Sequence, residues 1–451
     1  MAAIMKVRMV GCALGFLVMS LLIISGRLAD ASTSPLSGRG LDSSALKVFK
    51  SKSPKSKSPK EDLRFGKEFT DHMLDIDWNY DTGYSEPKIV PYGPLQMSPA
   101  ASVLHYGLEC FEGMKAYKGV DGKIRLFRPD LNIQRLNNGM RRLHFQPVDE
   151  DQFLACLKHL VLTEQDWIPE GDGYALYLRP TAVSTTPSLG VAAATDVKVF
   201  VICSPCGPYY PEGFQPIKLY ADTENVRAWP KGMGNKKYGG NYGPTIEPQA
   251  RAAGRGYQQV LWLFGPEDVV TEAGAMNLFF FLRKRDDDVG EWAEGEPDPR
   301  YELVTCPLET GYILPGVTRA SVLALARGWG EFEVSERELT MAEVLRTAEE
   351  GRLLEVFGCG TAAVIAPVKQ IGYRGKEVHV PTADAIGPVA ERLWGAITDI
   401  QYGRVKHPWG VVISEGEEDD DDECDDEDDN AADSGFAPVV LPGDALAGDE
   451  G

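Results

Sequence analysis

The stretch GNKKYGGNYGPT, residues 234–245, sets two adjacent lysines one residue before a pair of glycines that lies between two tyrosines. Gly239 and Gly240 carry no Cβ and tolerate positive φ, so the backbone there can pass close to another group. Tyr238 and Tyr242 bracket that gap. A solvated basic turn accounts for the lysines but has no use for the aromatics, whereas a reactive amine in a tight site uses both. These twelve residues alone leave the two readings open.

On the C-terminal side, QQVLWLFGPEDVVTEAGAMNLFFFLRK reads as strand, turn and strand. YELVTCPL leads by a glycine-rich link into the helix GVTRASVLALARGWG, and LTMAEVLRTAEEG and AIGPVAERLWGAITDIQYG carry further helical patterns. On the N-terminal side, IRLFRPDLNIQRLNNGMRRL begins as a strand and turns helical after Pro129, with Leu131, Leu136 and Met140 on the apolar face. FLACLKHLVLTEQDW is an amphipathic helix, and YALYLRPTAVS and VKVFVICSP read as strands. Strands and helices mix in both halves without regular βαβ alternation or a GxGxxG. The pattern predicts two α+β domains joined at SPCGPYYPEGFQP, where Gly and Pro cluster.

Two turns suit an anion. In LPGVTRASVL, Pro315 and Gly316 precede a helix whose first N–H groups, around Val317 and Thr318, are unpaired and lie at the positive end of the dipole. In GCGTAA, residues 358–363, the Thr361 hydroxyl and backbone amides offer further donors. An ordinary capped helix and an ordinary hairpin explain each singly. Together with a candidate amine they suggest a phosphorylated carbonyl cofactor. Glu272 lies at the hairpin of two very apolar strands, where a carboxylate needs a partner: a protonated ring nitrogen or a structural Arg or Lys.

In their order along the chain, FGKEFTDHMLDIDWN, LHYGLECFEGMKAYKG, LFRPDLNIQRL, YLRP, RAWPKGMGNKKYGGNYGPT, TEAGAMNLF, ILPGVTR, GTAA and IQYG resemble a branched-chain-amino-acid aminotransferase. That family consists of pyridoxal-phosphate enzymes of fold type IV, and the likeness spans about three quarters of the chain. The resemblance implies a smaller N-terminal domain over 65–208, a connection over 209–224 and a larger cofactor-binding domain over 225–410. It makes Lys237, not Lys236, the lysine bound covalently to pyridoxal 5'-phosphate. It places Glu272 at the ring nitrogen, Tyr242 at the ring oxygen, and Arg135, Val317, Thr318 and Thr361 at the phosphate, with Arg227 nearby. Tyr106, Phe111, Tyr177 and Tyr209 would line the substrate side-chain pocket. Ala362 would offer an N–H to the substrate carboxylate, and Arg179 would take the distal carboxylate of glutamate. The implied reaction is transamination of leucine, isoleucine or valine with 2-oxoglutarate, performed by a homodimer. A related enzyme acting on D-amino acids or aminodeoxychorismate is the alternative within the fold, and a tethered interaction protein that has lost catalysis is the alternative outside it. Vertebrate relatives have a CxxC pair after the Gly-Thr turn, where this chain has Ala363 and Ala366.

The ends of the 451-residue chain read differently from its middle. MAAIMKVRMVGCALGFLVMSLLIISGRLADAS has basic residues, an apolar run and a small-residue motif, the layout of a signal peptide or signal anchor over residues 1–31. That predicts a secretory-route or plastid-type organellar address, with a mitochondrial presequence as the alternative. Residues 32–64, which hold SKSPKSKSPK, read as a flexible basic Ser/Lys/Pro linker. Residues 411–451 read as an acidic disordered tail: from His407 onward there are 17 Asp or Glu and no Lys or Arg, a large part of the net charge of −21. Such a tail argues against nucleic acid as a partner, and membrane contact is expected only through an uncleaved N-terminal anchor. The eight cysteines are scattered, and Cys203-Ser204-Pro205-Cys206 has CxxC spacing without a second pair or a nearby histidine, so no metal site is read.

Overall fold

A computed structural model describes residues 38–209, 214–289, 296–381 and 386–414. Each of the two domains is built on its own sheet. The first, ten-stranded, runs from the short edge strand Lys47–Val48 through Lys88–Pro91, His72–Asn79, Asp196–Cys206, Ala175–Ser184, Met114–Lys118 and Ile124–Phe127 to Gly410–Ile413. Its centre is the long antiparallel pair Ala175–Ser184 and Asp196–Cys206. The first of these is buried almost throughout, and the second alternates buried and half-buried residues, as a strand covered on one face does. Helices Pro129–Arg142 and Glu150–Thr163 close the apolar face. Proline opens the former at its first position, where no N–H is missed, and Asp149 caps the latter by accepting from the Gln152 N–H.

The second sheet has nine strands, and six of them form a ring: Val269–Ala273, Gln259–Phe264, Ile217–Asp222, Val364–Tyr373, Leu353–Gly360 and Met276–Arg283, which pairs back onto Val269–Ala273. The apolar run NLFFFLR, expected as one arm of a hairpin, is the hub of this sheet. It pairs with Leu353–Gly360 on one side and Asp298–Thr305 on the other. Helices Val317–Trp329 and Pro388–Gln401 lie where the domains meet. Their Val322, Leu393 and Ile397 share one core with Phe279 and Phe281 of the second sheet and Tyr117 and Phe127 of the first.

Three expected boundaries differ. The strand Ile217–Asp222 belongs to the ring, so the connection ends before it. Gly410–Ile413 returns to the first sheet, antiparallel to Ile124–Phe127, with Ile413 buried, so the body extends past residue 410. The basic linker is a strap. Lys47–Val48 pairs with Lys88–Ile89, the Ser51 N–H donates to His72 Nε2 at 2.8 Å, and Leu41 and Leu63 are buried. Composition misled here because lysine stems find aromatic faces: Lys55 lies 4.3 Å from the centroid of Tyr92, and Lys57 and Lys60 cover Trp167 and Tyr174. The leader 1–31 and the acidic tail from 415 onward lie outside the described residues. Among the described residues no helix is long and apolar enough to cross a membrane.

Candidate active site

Lys237 enters the space between the domains on the loop that precedes the short turn Gly239–Asn241. Its carbonyl accepts from the Phe111 N–H, and Cys110 bridges to Tyr238, so the loop is stitched to strand Glu109–Phe111 of the first domain. The glycines are needed there: a Cβ on Gly239 would meet the Glu109 carboxylate at 1.7 Å. The lysine Nζ lies 3.4 Å from the Tyr242 hydroxyl and 5.0 Å from the centroid of Phe111. Burial, with help from the Arg135 and Arg179 cations, lowers its pKa to about 8. Lys236 faces elsewhere. Its pKa is lowered by burial and by Arg142, and its carbonyl is held by Asn241.

Glu272 is buried on strand Val269–Ala273. Its Oε2 lies 3.0 Å from Arg227 Nη2, and its Oε1 accepts from the Leu314 N–H at 2.6 Å and from Asn277 Nδ2 at 3.1 Å. Burial raises its pKa and Arg227 opposes the rise. The resemblance placed Arg227 near the phosphate; the structure assigns it to Glu272, with further donation to the Tyr312 carbonyl at 2.6 Å, and leaves its Nε buried without a partner. A cavity of about 160 Å³ opens between Tyr242, Glu272, Arg227 and Leu314. Burial pushes the Tyr242 hydroxyl up to about 12, so it stays a donor at neutral pH.

The anion end forms where Arg135, on the inner face of helix Pro129–Arg142, meets the start of helix Val317–Trp329. Its Nη1 donates to the Pro315 carbonyl at 3.0 Å. Gly316 caps that helix without a side-chain acceptor, so the N–H groups of buried Val317 and Thr318 are free of side-chain caps. A Cβ on Gly316 would meet Asn277 Oδ1 at 2.1 Å, which explains the glycine. Thr361 approaches from the Gly360–Val364 turn, its Oγ1 3.4 Å from the Gly113 carbonyl. Sequence reading missed Glu112, wholly buried, which holds Arg135 by a bidentate pair at 2.6 and 2.9 Å and also accepts from Asn132. A carboxylate inside the apolar run LECFEGMKAY was the available signal.

Of the residues expected to line a substrate pocket, Phe111, Tyr177 and Arg179 come together. The Arg179 guanidinium lies 4.7 Å from the centroid of Phe111 and donates to the Tyr177 hydroxyl at 2.9 Å; among the described residues no carboxylate lies within ion-pair distance of it. Phe65 packs edge-on against Tyr177 at 4.8 Å and was also missed, although it begins a quoted motif. Tyr106 and Tyr209 do not join this cluster. The Tyr106 hydroxyl donates to the Leu189 carbonyl, and Tyr209, half exposed, lines a separate cavity beside Ala362. Ala363 and Ala366 fill the positions of the absent thiols, and Cys203 and Cys206 are buried, unpaired and held as thiols by burial.

Residues 109–371 match the amino-transferase class IV family. The chain is 48% identical over 375 residues to a branched-chain-amino-acid aminotransferase of Monosiga brevicollis, covering 83% of this chain and 93% of that one. It is 46% identical over 366 residues to the mitochondrial branched-chain-amino-acid aminotransferase of Rattus norvegicus, covering 81% and 90%. Among solved structures it resembles a T.th. branched-chain amino acid aminotransferase with pyridoxamine 5'-phosphate, with a TM-score of 0.56 and 25% identity, covering 75% of this chain and 98% of that one. With an amine, a buried carboxylate and an uncapped helix start between two such domains, and with these matches along most of its length, the chain belongs to the class IV aminotransferase family.

Proposed function

We infer that this protein transfers the amino group of leucine, isoleucine or valine to 2-oxoglutarate, with pyridoxal 5'-phosphate as cofactor. The observation that carries the reading is Lys237: a low-pKa amine beside a phenol, flanked by Glu272 on one side and by Arg135 with an open helix start on the other. The residues present fit that cofactor. Arg135, the Val317 and Thr318 amides and Thr361 suit its phosphate, Glu272 its ring nitrogen, and Lys237 its aldehyde. When bound, the cofactor supplies an electron sink for the bond broken at the substrate's Cα.

The chain's own side chains do the rest. Once displaced from the cofactor's aldehyde by the incoming amino group, Lys237, with a pKa near the working range, would take the proton from the substrate's Cα and return it to the carbon on the other side of the amino nitrogen. Glu272, its carboxylate held in place by three partners, would favour a protonated ring nitrogen. Phe111, Tyr177 and Phe65 enclose an apolar side chain, and Arg179 is the cation available to the second carboxylate of glutamate. The Ala362 turn holds the substrate's α-carboxylate.

Leu104, Leu189 and Val191 are exposed apolar side chains, Leu104 on the same short helix as Tyr106 and the Leu189 carbonyl accepting from the Tyr106 hydroxyl, which supports a homodimer. The relatives include enzymes named mitochondrial and enzymes named cytosolic, so the address rests with residues 1–31. Imaging a tagged full-length chain beside one lacking those residues separates a mitochondrial destination from a secretory-route one. For the activity, purified protein is assayed with 2-oxoglutarate and either leucine or D-alanine, and separately with aminodeoxychorismate. Glutamate formation from leucine is expected to dominate, and turnover confined to either other substrate would overturn the reading.

A further inference from the structure

Lys115 is a buried cation that the chemistry above does not use. It sits on strand Met114–Lys118 directly opposite Tyr177, so its side chain leaves the first sheet on the face turned toward the second domain. Burial lowers its pKa, and among the described residues no carboxylate is within ion-pair distance. It borders an inter-domain cavity of about 270 Å³ lined by Tyr117, Trp394 and Tyr402. Among the described residues its side chain makes one hydrogen bond, from Nζ to the Ala362 carbonyl at 2.9 Å. A buried ammonium is costly to keep, so a single backbone carbonyl is an unusual partner set among the described residues.

That carbonyl belongs to a strained turn. Strands Leu353–Gly360 and Val364–Tyr373 are joined by Thr361, Ala362 and Ala363, and Val364 closes the turn with φ at 61°. A β-branched residue in the left-handed region costs about 1–3 kcal/mol and persists only where its surroundings hold it. Among the described residues two hydrogen bonds tie the turn to the first domain, both from the run Glu112-Gly113-Met114-Lys115: the Gly113 carbonyl accepts from Thr361 Oγ1, and Lys115 Nζ donates to the Ala362 carbonyl. The 362–363 peptide is planar, so holding its carbonyl toward Lys115 turns the Ala363 N–H the opposite way, and it restrains the Ala362 N–H, one peptide earlier, through the backbone torsions at Ala362.

We propose that Lys115 is a positioning residue for substrate binding: it clamps the Thr361–Val364 turn from across the domain boundary, so that the turn's amides face the substrate's α-carboxylate. The inference rests on the reading that this turn binds that carboxylate. Because every amino-acid and 2-oxo-acid substrate carries the group, the effect falls on both half-reactions alike, unlike that of Arg179. It leaves the cofactor's link to Lys237 untouched.

The test uses the cofactor-loaded enzyme. Lys115→Met, close in volume but without a donor, is expected to raise KM for leucine and for 2-oxoglutarate by a similar factor, roughly tenfold for each, with a smaller change in kcat. Cofactor absorbance and cofactor retention are expected to match the wild type, and Lys115→Arg, which restores a cationic donor, is expected to recover most of the loss. Unchanged KM values, a rise for one substrate only, or failure of Arg to rescue would overturn the proposal. If Lys115→Met does not fold, Lys115→Gln carries the same test. Should the wild type itself not transaminate leucine, the parent reading fails and not this one.

Discussion

Arg227 and Glu272 form a buried ion pair 3.0 Å apart, the carboxylate anchored by two further donors and the guanidinium by two carbonyls. Arg227→Met leaves that carboxylate in an apolar site without its cation, which costs about 3–5 kcal/mol. The deficit carries a pH signature. Burial already raises the Glu272 pKa, and without Arg227 it rises further above the unfolded value. An acid with a raised folded pKa loses stability as pH climbs above its unfolded pKa, so the deficit against the wild type is larger at pH 8 than at pH 5. Urea midpoints of both proteins at the two pH values check this; an equal deficit at both would detach the effect from Glu272.

Lys237→Ala is expected to abolish transamination together with the absorbance of the lysine-linked cofactor, while Lys236→Ala keeps both. Only Lys237 shares its surroundings with Tyr242, Glu272 and Arg135. In the cofactor-free protein its pKa of about 8 lies below the ordinary lysine value. Reaction of the free amine with an aldehyde reagent therefore rises as pH passes through about 8, and not near 10.5. The same shift makes folding more favourable as pH rises between those two values, because the unfolded chain there binds the extra proton. A dead Lys236→Ala variant would reverse the assignment.

Deleting residues 38–62 is expected to destabilise the protein by several kcal/mol. The cut removes Leu41 from the first core, the strand Lys47–Val48 from the sheet edge, and the Ser51 donor from His72, whose other nitrogen meets the buried Glu164. Removing only residues 1–31 leaves all of these contacts in place. Thermal melts of the two truncations beside the full chain separate the cases, and equal melting temperatures would return the segment to the status of a loose tether.

That strap shows where the sequence stopped being legible. Ser, Lys and Pro in a five-residue repeat have no apolar period, so nothing local predicts order; the order comes from Tyr92, Trp167 and Tyr174, up to about a hundred residues away in sequence. The return of Gly410–Ile413 to the first sheet was hidden for the same reason, since pairing partners nearly three hundred residues apart leave no trace in either segment. Lys237, Glu272, Tyr242 and Arg135 were singled out through the resemblance, whose motifs are local, and the structure brings their side chains near one another. Glu112 and Arg227 show the remaining gap: a motif gives the residue, but which buried charge answers which is a matter of three-dimensional packing.

Arg179→Ala is expected to impair turnover of glutamate and 2-oxoglutarate far more than the half-reaction with leucine. The guanidinium stands over Phe111, donates only to the Tyr177 hydroxyl, and has no carboxylate within ion-pair distance among the described residues. Glutamate brings a second carboxylate into these aromatic surroundings, where an unpaired charge is costly, whereas leucine brings only apolar surface. Losing a charge-assisted hydrogen bond costs about 1.5–3 kcal/mol, or roughly tenfold to a hundredfold in rate or affinity. A structural role for the arginine, holding the Tyr177 ring against Phe65, would instead weaken both substrates together, because that ring encloses the leucine side chain as well. Arg179→Met keeps most of the stem over Phe111 and so isolates the charge. Single-turnover rates with leucine and with glutamate on both variants decide between the roles: a loss confined to glutamate supports charge recognition, and an equal loss for the two makes Arg179 part of the pocket wall.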